Sequence, residues 1–283
     1  MHAVPTKDPE CALPPTEHEM IDLGLADKRA LVTGAGAGSG RAIAVWLARA
    51  GCAVAVNDID AGRAAETVTM IRAAGHSAIV CVANVRSEDE VQAMVGAVVR
   101  DLGGLDVAVN NVGMLASRHA RPFLDMDGEY FRDIVEQNLI ATALCCRAEA
   151  RAMVTQGAGG CIINVSSGES QRPAPDLALY GAAKAAVNHL SRTLAYELGA
   201  HSIRVNVIAP GTMLTERVRA ALSPEYLEAL RASIPLGRMT EPDDLARTAV
   251  YLASDLARNV TGQFILADGG ADLSRDRPQR SRR

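Results

Sequence analysis

The stretch Leu31-Val32-Thr33-Gly34-Ala35-Gly36-Ala37-Gly38-Ser39-Gly40 decides the fold of this chain. Its apolar start reads as the end of a strand, and an Ala-rich segment of helical length follows its four alternating glycines. Glycines permit a sharp turn and a close approach of a pyrophosphate, while the helix N-terminus offers free N–H groups. No Gly-Lys-Ser/Thr follows, which argues against a P-loop. We interpret the stretch as a dinucleotide-binding turn; the alternative is an ordinary glycine-rich turn.

Short apolar runs alternate with segments of helical periodicity from Lys28 onward. Most runs are continuously apolar, as expected for parallel strands that are covered on both faces. The pattern predicts an α/β fold, a Rossmann-type doubly wound parallel sheet of seven strands in three αβα layers. The predicted strands are Arg29–Thr33, Ala53–Asn57, Ala78–Val82, Asp106–Asn110, Cys161–Val165, Ile203–Ile208 and Gln263–Ala267. The predicted helices are Gly40–Ala50, Ala61–Ala74, Glu88–Leu102, Glu129–Thr155, Leu177–Leu198 and Asp243–Ser254.

The 283 residues suit a single dinucleotide-binding domain over residues 25–272, without internal repeats. Residues 1–24 carry four prolines and no apolar core, which predicts a flexible extension and neither a signal peptide nor a membrane anchor. Residues 273–283 hold five arginines and one aspartate, a basic tail typical of a disordered, solubilising end.

Charge and cysteine content exclude several classes of function. The formal net charge is -4, and the main body is not basic enough to indicate nucleic-acid binding. The six cysteines show no spacing typical of a metal site, and several lie in or beside apolar runs. We therefore predict no metal, no membrane association and a reducing, cytoplasmic environment.

Asp58 ends the second predicted strand, 24 residues after Gly34. An acid at this place accepts hydrogen bonds from an adenosine ribose and repels a 2′-phosphate. No arginine or lysine lies inside the glycine turn or directly after Asp58, and Arg41 and Arg63 lie outside these two places. The pattern predicts NAD rather than NADP. Capping a helix is the alternative role for Asp58, although Asp60 is the better cap candidate.

Tyr180 and Lys184 stand four residues apart in a predicted helix, so their side chains share one helical face. A lysine beside a tyrosine favours the phenolate, and we expect the phenol to exchange a proton nearer to neutral pH. Alone, such a pair is usually a solvated surface pair. The dinucleotide turn upstream gives it a chemical meaning.

Together these residues resemble the classical short-chain dehydrogenase/reductase family over about residues 25–272. Thr33-Gly34-xxx-Gly38-x-Gly40 matches the family's cofactor motif, and Asn110-Asn111-Val112-Gly113 is similar to its Asn-Asn-Ala-Gly. The resemblance implies hydride transfer between NAD and a secondary alcohol or ketone. The catalytic residues it implies are Asn138, Ser167, Tyr180 and Lys184. With the turn and Asp58, the implied cofactor contacts are Gly34, Gly36, Gly38, Ser39, Gly40, Asp58, Asn84, Val85, Asn111, Gly113, Tyr180, Lys184, Pro210, Gly211, Met213 and Thr215.

The resemblance also implies a role for each catalytic residue. Tyr180 would be the base in oxidation and the acid in reduction. Lys184 would stabilise the phenolate and hold the nicotinamide ribose, and Asn138 would form a water-bridged relay between Lys184 and solvent. Ser167 would bond the substrate oxygen. It lies 13 residues before Tyr180, as in the family, which leaves Ser166 as a packing or backbone-bonding hydroxyl.

Three positions depart from the family pattern. Ser39 replaces a usual isoleucine, and its hydroxyl could cap the helix or reach a phosphate. Val112 replaces the usual alanine and adds bulk near the cofactor. Asn84-Val85 stands where many members have Asp-Val, and the amide can still meet the adenine amino group.

The substrate is narrowed by a likeness to bacterial 7α-hydroxysteroid dehydrogenases, carried by Asn188-His189-Leu190 and Leu214-Thr215 among other segments. It implies an apolar or steroid-like alcohol or ketone. Met114, Leu115, His119 and Glu169 are further candidates for contact with it.

Two alternatives remain open. One is a 3-oxoacyl thioester reductase, acting on acyl carrier protein or CoA and usually NADP-dependent. The other is a non-catalytic dinucleotide sensor, a class that often loses the tyrosine or lysine.

Residues 212–238 hold a predicted helix pair, Thr215–Leu222 and Pro224–Ser233, which we interpret as a substrate lid. A fixed insertion or subunit contact is the alternative. The family resemblance further implies a homotetramer, assembled through Glu129–Thr155, Leu177–Leu198 and the last strand.

Overall fold

The computed structural model describes residues 21–115, 118–213 and 223–274. Its strands are β1 (Arg29–Val32), β2 (Ala53–Asp58), β3 (Ala78–Val82), β4 (Val107–Asn110), β5 (Gly160–Val165), β6 (Ile203–Pro210) and β7 (Phe264–Ala267). They form one parallel sheet in the order β3-β2-β1-β4-β5-β6-β7. The predicted seven-stranded, doubly wound sheet is confirmed.

Helices cover both faces of the sheet. They are α1 (Gly38–Arg49), α2 (Ala61–Ala73), α3 (Glu88–Leu102), α4 (Gly128–Val135), α5 (Ala141–Gln156), α6 (Ala178–Leu198), α7 (Pro224–Ala232) and α8 (Pro242–Ala253). Leu47 of α1, Ile71 of α2 and Leu252 of α8 belong to one buried core. Val98 of α3, Met153 of α5 and Ala195 of α6 belong to a second. The predicted three-layer arrangement is therefore confirmed.

The strand order reverses at β1, which pairs with β2 on one side and β4 on the other. Leu31 lies opposite Ala55 of β2 and Ala108 of β4. The chain segments leaving β1 and β4 therefore start side by side at the carboxyl edge of the sheet. A crevice outside this edge, at the point of reversal, is where open α/β sheets bind ligands.

The predicted helix Glu129–Thr155 is not continuous. A π-helical turn, Glu136–Ile140, separates α4 from α5. The side-chain amide of Asn138 donates to the carbonyl oxygen of Ile134 at 2.9 Å, and the Thr142 hydroxyl donates to the carbonyl oxygen of Asn138 at 2.8 Å. Such side-chain bonds compete with the helical ladder, and π turns often mark functional sites. The interruption presents Asn138 at the edge of the crevice, a feature that helical periodicity alone did not reveal.

Some predictions fall outside the described residues. These include the first lid helix, Thr215–Leu222, most of the extension 1–24 and the end of the basic tail. The second lid helix is present as α7, and Leu230 packs there with Ile234 and Met239 in a small buried cluster. Among the described residues, no helix has the length and apolar character needed to cross a bilayer.

Candidate active site

The glycine turn between β1 and α1 leaves room that side chains would fill. Gly34 and Gly38 have φ of +61° and +54°, a region that glycine enters without strain. A Cβ on Gly40 would lie 2.2 Å from the carbonyl oxygen of Gly34, and one on Gly36 would lie 2.5 Å from Asp58 Oδ2. Bare backbone therefore lines the turn at the N-terminus of α1. This cradle fits the pyrophosphate of a dinucleotide.

Asn111 fastens the turn to the segment that follows β4. Its Nδ2 donates to the carbonyl oxygens of Thr33 and Gly34, at 3.1 and 3.2 Å. Its Oδ1 accepts a hydrogen bond of 2.9 Å from the hydroxyl of Ser39. The Ser39 hydroxyl is thus used to hold Asn111, and no side-chain cap bond is present at the start of α1. Ser39 and Asn111 thus lie together beside the glycine turn, and Asn111 shapes the cradle.

Asp58 lies at the far end of the cradle, at the carboxyl end of β2. Oδ2 accepts the N–H of Gly36 at 3.1 Å, and Oδ1 accepts the N–H of Asp60 at 3.0 Å. Asp60 caps α2 by accepting the backbone N–H of Arg63 at 3.0 Å, the role predicted for it. Asp58 is therefore not the cap of α2, which removes the alternative role considered for it.

Two arginines lie closer to this end of the site than the sequence suggested. The guanidinium of Arg63 is 2.8 Å from Asp58 Oδ1, and that of Arg41 donates to the carbonyl oxygen of Gly36. Both arginines lie outside the glycine turn and the position after Asp58 in the sequence, but the structure brings their guanidinium groups into contact with these places. Both arginines stand in the first turn of a helix, and their long side chains reach back to the glycine turn and to Asp58.

Asn84 and Val85 follow β3. The Oδ1 of Asn84 accepts the N–H of Arg86 at 3.0 Å, and Val85 is buried against α3 and α5. The side chain of Asn84 thus shapes its own turn. Both residues lie beyond the end of β3, two strands from the glycine turn.

The predicted catalytic side chains converge where β4 and β5 end. Lys184 is buried, and its Nζ donates to the carbonyl oxygen of Val165 at 2.9 Å and lies 6.0 Å from the centre of the Tyr180 ring. Ser167 follows β5 and forms a hydrogen bond with Tyr180. The hydroxyl of Ser166 donates to the backbone carbonyl of Lys184 at 3.2 Å, a backbone-bonding role as predicted.

Electrostatics at Tyr180 differ from the expectation. Burial raises the pKa of the Tyr180 phenol; the hydrogen bond with Ser167 lowers it, and the charge of Glu169 raises it further. Burial also lowers the pKa of Lys184 to about 8. The prediction that Lys184 acidifies the phenol is not met, because the ammonium points to Val165 and the cost of burying a phenolate dominates.

Asn138 clasps the segment after β4. Its Oδ1 accepts the N–H of Met114 at 3.1 Å, and its Nδ2 donates to the Met114 carbonyl oxygen at 2.8 Å. Met114 has a φ of +90°, unusual for a residue with a side chain, and this clasp holds it there. A Cβ on Gly113 would meet Lys184 Nζ at 2.7 Å and Asn138 Oδ1 at 3.1 Å. The absence of a side chain at Gly113 therefore leaves room for Asn138 and Lys184 to lie close to the same backbone position.

The last of the predicted cofactor contacts, Pro210, Gly211, Met213 and Thr215, start at the end of β6. Pro210 closes that strand, and a Cβ on Gly211 would lie 2.9 Å from the Cβ of Asp268. Met213 forms an isolated parallel bridge with Thr240. Thr215 lies outside the described residues. Of the further substrate candidates, Glu169 lies beside Ser167 and Tyr180. Leu115 packs against the same small buried cluster as Tyr180.

One buried acid had no signal in the sequence analysis. Glu149 of α5 is fully buried, and its Oε2 accepts from Asn110 Nδ2 at 2.9 Å. Asn110 Nδ2 also donates to Asn164 Oδ1 at 3.0 Å, and Asn164 Nδ2 donates to Ser191 at 2.9 Å. A polar cluster thus lies behind the strands that carry the site. The Ala-rich helical pattern around Glu149 gave no hint that its side chain faces inward.

Comparison with known proteins bears on this geometry. A family model described as Enoyl-(Acyl carrier protein) reductase matches residues 34–272. The 7alpha-hydroxysteroid dehydrogenase of Escherichia coli (strain K12) is 36% identical, with 88% of this chain and 96% of the relative covered. The 3-oxoacyl-[acyl-carrier-protein] reductase FabG of Staphylococcus aureus (strain Mu50 / ATCC 700699) is 39% identical, with 86% and 97% covered.

A comparison with solved structures also points to dehydrogenases of this kind. A 7α-hydroxysteroid dehydrogenase complexed with NADH and 7-oxo glycochenodeoxycholic acid superposes with a TM-score of 0.83 at 36% identity, covering 88% of this chain and 96% of that one. The chain belongs to the short-chain dehydrogenase/reductase family. The predicted resemblance is confirmed, and this family member is an oxidoreductase that interconverts alcohols and ketones with a nicotinamide dinucleotide.

Proposed function

We propose that this short-chain dehydrogenase/reductase is an NAD(H)-dependent enzyme in which Tyr180 is the acid/base. The observation that carries the proposal is the convergence of Tyr180, Ser167 and Lys184 at the carboxyl edge of the sheet, beside the glycine cradle. When bound, the nicotinamide supplies or accepts a hydride at the substrate carbon. The residues of this chain bind the substrate oxygen and move its proton.

The proton steps follow from the positions of three side chains. In reduction, Ser167 and Tyr180 hydrogen-bond the ketone oxygen, and Tyr180 donates its phenolic proton as charge develops there. In oxidation the same oxygen belongs to the alcohol's hydroxyl group, and Tyr180 as phenolate accepts its proton. Lys184, whose Nζ is held by the carbonyl oxygen of Val165 at 6.0 Å from the centre of the Tyr180 ring, binds the nicotinamide ribose. Asn138, next to Gly113 and Lys184, supports the relay of protons to solvent.

The preference for NAD rests on Asp58. Its carboxylate accepts the N–H of Gly36 and so lies against the glycine turn. There it can accept hydrogen bonds from ribose hydroxyls and disfavours a 2′-phosphate. A structural relative was solved with NADH, which supports the same cofactor here.

The proposed substrate is an apolar, steroid-like secondary alcohol or ketone. Leu115, in the same cluster as Tyr180, and the apolar side chains of α7 support it, as does the likeness to the 7alpha-hydroxysteroid dehydrogenase of Escherichia coli. Within the predicted lid 212–238, the described helix α7 would cover it. The alternative is a 3-oxoacyl thioester, favoured by the likeness to FabG of Staphylococcus aureus. A substrate panel with both cofactors separates the two, since efficient NADPH-dependent turnover of an acetoacetyl thioester would reverse this order.

A homotetramer in the cytoplasm is the proposed state of the enzyme. An apolar groove between α5 and α6, lined among others by Val154, Leu190, Leu194 and Leu198, offers a face for a second copy. The cysteines within the described part of the chain are all free, which suits a reducing compartment. Sedimentation of the purified protein measures the oligomeric state.

The decisive experiment replaces Tyr180 with phenylalanine. NAD binding should persist, while hydride transfer falls by a factor of about 10² or more, because the group that moves the proton is gone. Tyr196→Phe is the matched control, since Tyr196 lies on the same helix and is 90% exposed. Full turnover by Tyr180→Phe would refute the assignment. A wild-type protein that binds NAD but turns over no alcohol or ketone would instead indicate the non-catalytic sensor.

A further inference from the structure

Arg63 lies against the carboxylate that is proposed to receive the adenosine ribose. It stands in the first turn of α2, and its Nη2 is 2.8 Å from Asp58 Oδ1. The side chain of Asp58 is 9% exposed, whereas that of Arg63 is 49% exposed. The guanidinium therefore sits between a nearly buried acid and open solvent. An arginine so placed can pair with the acid and still reach a second anion.

The hydrogen bonds of Asp58 leave capacity for a ribose. Oδ1 accepts from Arg63 and from the N–H of Asp60, whereas Oδ2 accepts only from the N–H of Gly36 among the described residues. A carboxylate oxygen accepts two hydrogen bonds, so Oδ2 can take one more from a ribose hydroxyl. Arg63 and the ribose thus use different oxygens of the same acid.

Neighbouring charges do not occupy Arg63 in other ways. Arg41, the other cation at this end, pairs with Glu66 at 3.0 Å and donates to the carbonyl oxygen of Gly36. The carboxylate of Asp60 accepts the backbone N–H of Arg63 and caps α2. The side chain of Arg63 is not required for this cap. Its described ion pair is with Asp58 alone.

This pairing changes what Asp58 does to a phosphate. An unpaired carboxylate repels a 2′-phosphate strongly, but a carboxylate already paired with a guanidinium repels it less. The planar fork of an arginine also matches the oxygens of a phosphate, and a half-exposed side chain can turn from one anion to another.

We propose that Arg63 is a specificity-determining residue that offsets Asp58 and binds the 2′-phosphate, so that the site accepts NADP alongside the preferred NAD. The proposal rests on the dinucleotide site assigned above. Arg63 remains on Asp58 when the ribose carries a free 2′-hydroxyl, and it turns to the phosphate when one is present.

The test measures binding of two probes, 5′-ADP and 2′,5′-ADP, by calorimetry on the full chain. Arg63→Ala should weaken binding of 2′,5′-ADP by about tenfold or more, the loss expected for a charge-assisted hydrogen bond. Binding of 5′-ADP should change by less than about threefold, within the usual effect of a surface substitution. Arg63→Lys, which keeps the charge, should restore part of the loss.

Arg72→Ala is the matched control, because Arg72 lies at the other end of α2 and donates to the carbonyl oxygen of Ala78. The ratio of kcat/KM for NADP to that for NAD should fall in parallel with Arg63→Ala. Two results would overturn the role of Arg63 and leave the dinucleotide site standing. One is a ratio of the two dissociation constants that is the same in Arg63→Ala and wild type. The other is a wild-type protein that binds 5′-ADP but not 2′,5′-ADP. Failure of wild type to bind 5′-ADP would overturn the dinucleotide site itself.

Discussion

Replacing Glu149 with glutamine should stabilise the protein above neutral pH. Glu149 is fully buried, its Oε2 accepts a hydrogen bond from Asn110, and its Oε1 accepts none from the described residues. Burial raises its pKa from 4.5 to about 7, although the hydrogen bond from Asn110 acts the other way. An uncompensated charge in this cluster is costly, and a glutamine of the same shape avoids it.

The magnitude follows from linkage between protonation and folding. The folded state holds the proton of Glu149 up to about pH 7, whereas the unfolded chain releases it near the ordinary value of 4.5. Stability therefore falls as pH rises between these values and stays constant above them. At ~1.4 kcal/mol for each pH unit, the loss approaches about 3 kcal/mol at pH 8. The glutamine variant should not show this loss.

The assay is urea unfolding of wild type and Glu149→Gln at several pH values from 4.5 to 8.5, at one fixed protein concentration. The difference in the free energy of unfolding should be small near pH 4.5 and reach about 3 kcal/mol in favour of the variant at pH 8. Glu197→Gln, at an exposed position of α6, is the control and should show no such trend. A difference that is the same at every pH would refute the reasoning, because it would mean that Glu149 does not titrate with folding.

Two further predictions concern the active site. Gly36→Ala should weaken dinucleotide binding, measured by calorimetry, by about tenfold or more, since its Cβ would lie 2.5 Å from Asp58 Oδ2 and must displace that oxygen. The control is Gly96→Ala in α3, which has open space around it and should leave the dissociation constant unchanged. If Gly36→Ala binds like wild type, the close fit of the cradle is not needed. Alcohol oxidation needs the phenolate of Tyr180 as its base, and burial keeps the phenol protonated at neutral pH, so the rate of oxidation should rise with pH. Glu169→Gln should move this rise to lower pH, because it removes a charge that raises the pKa of the phenol. Profiles of kcat/KM against pH measure both, and a Glu169→Gln profile that coincides with wild type would contradict the second.

Local patterning predicted the elements of the fold with small errors. The strand Ala78–Val82 and the helix Glu88–Leu102 have the predicted bounds. Continuous apolar runs and capping residues are local signals, and parallel strands must be covered on both faces whatever the rest of the chain does. The exception is the segment around Asn138, where side-chain bonds to the backbone interrupt a helix that periodicity reads as continuous.

The sequence by itself determined the fold class and the glycine-rich turn, because each depends on spacing within an element or at its end. The residues expected at the carboxyl edge came from the family resemblance. Only the tertiary structure decided the electrostatics. The guanidinium of Arg63, in the first turn of α2, reaches Asp58, and Glu149 is buried because α5 packs against β4. Lys184 turns to Val165, so burial and not its charge dominates the phenol of Tyr180. Charge interactions depend on distance and burial, which spacing along the chain does not specify.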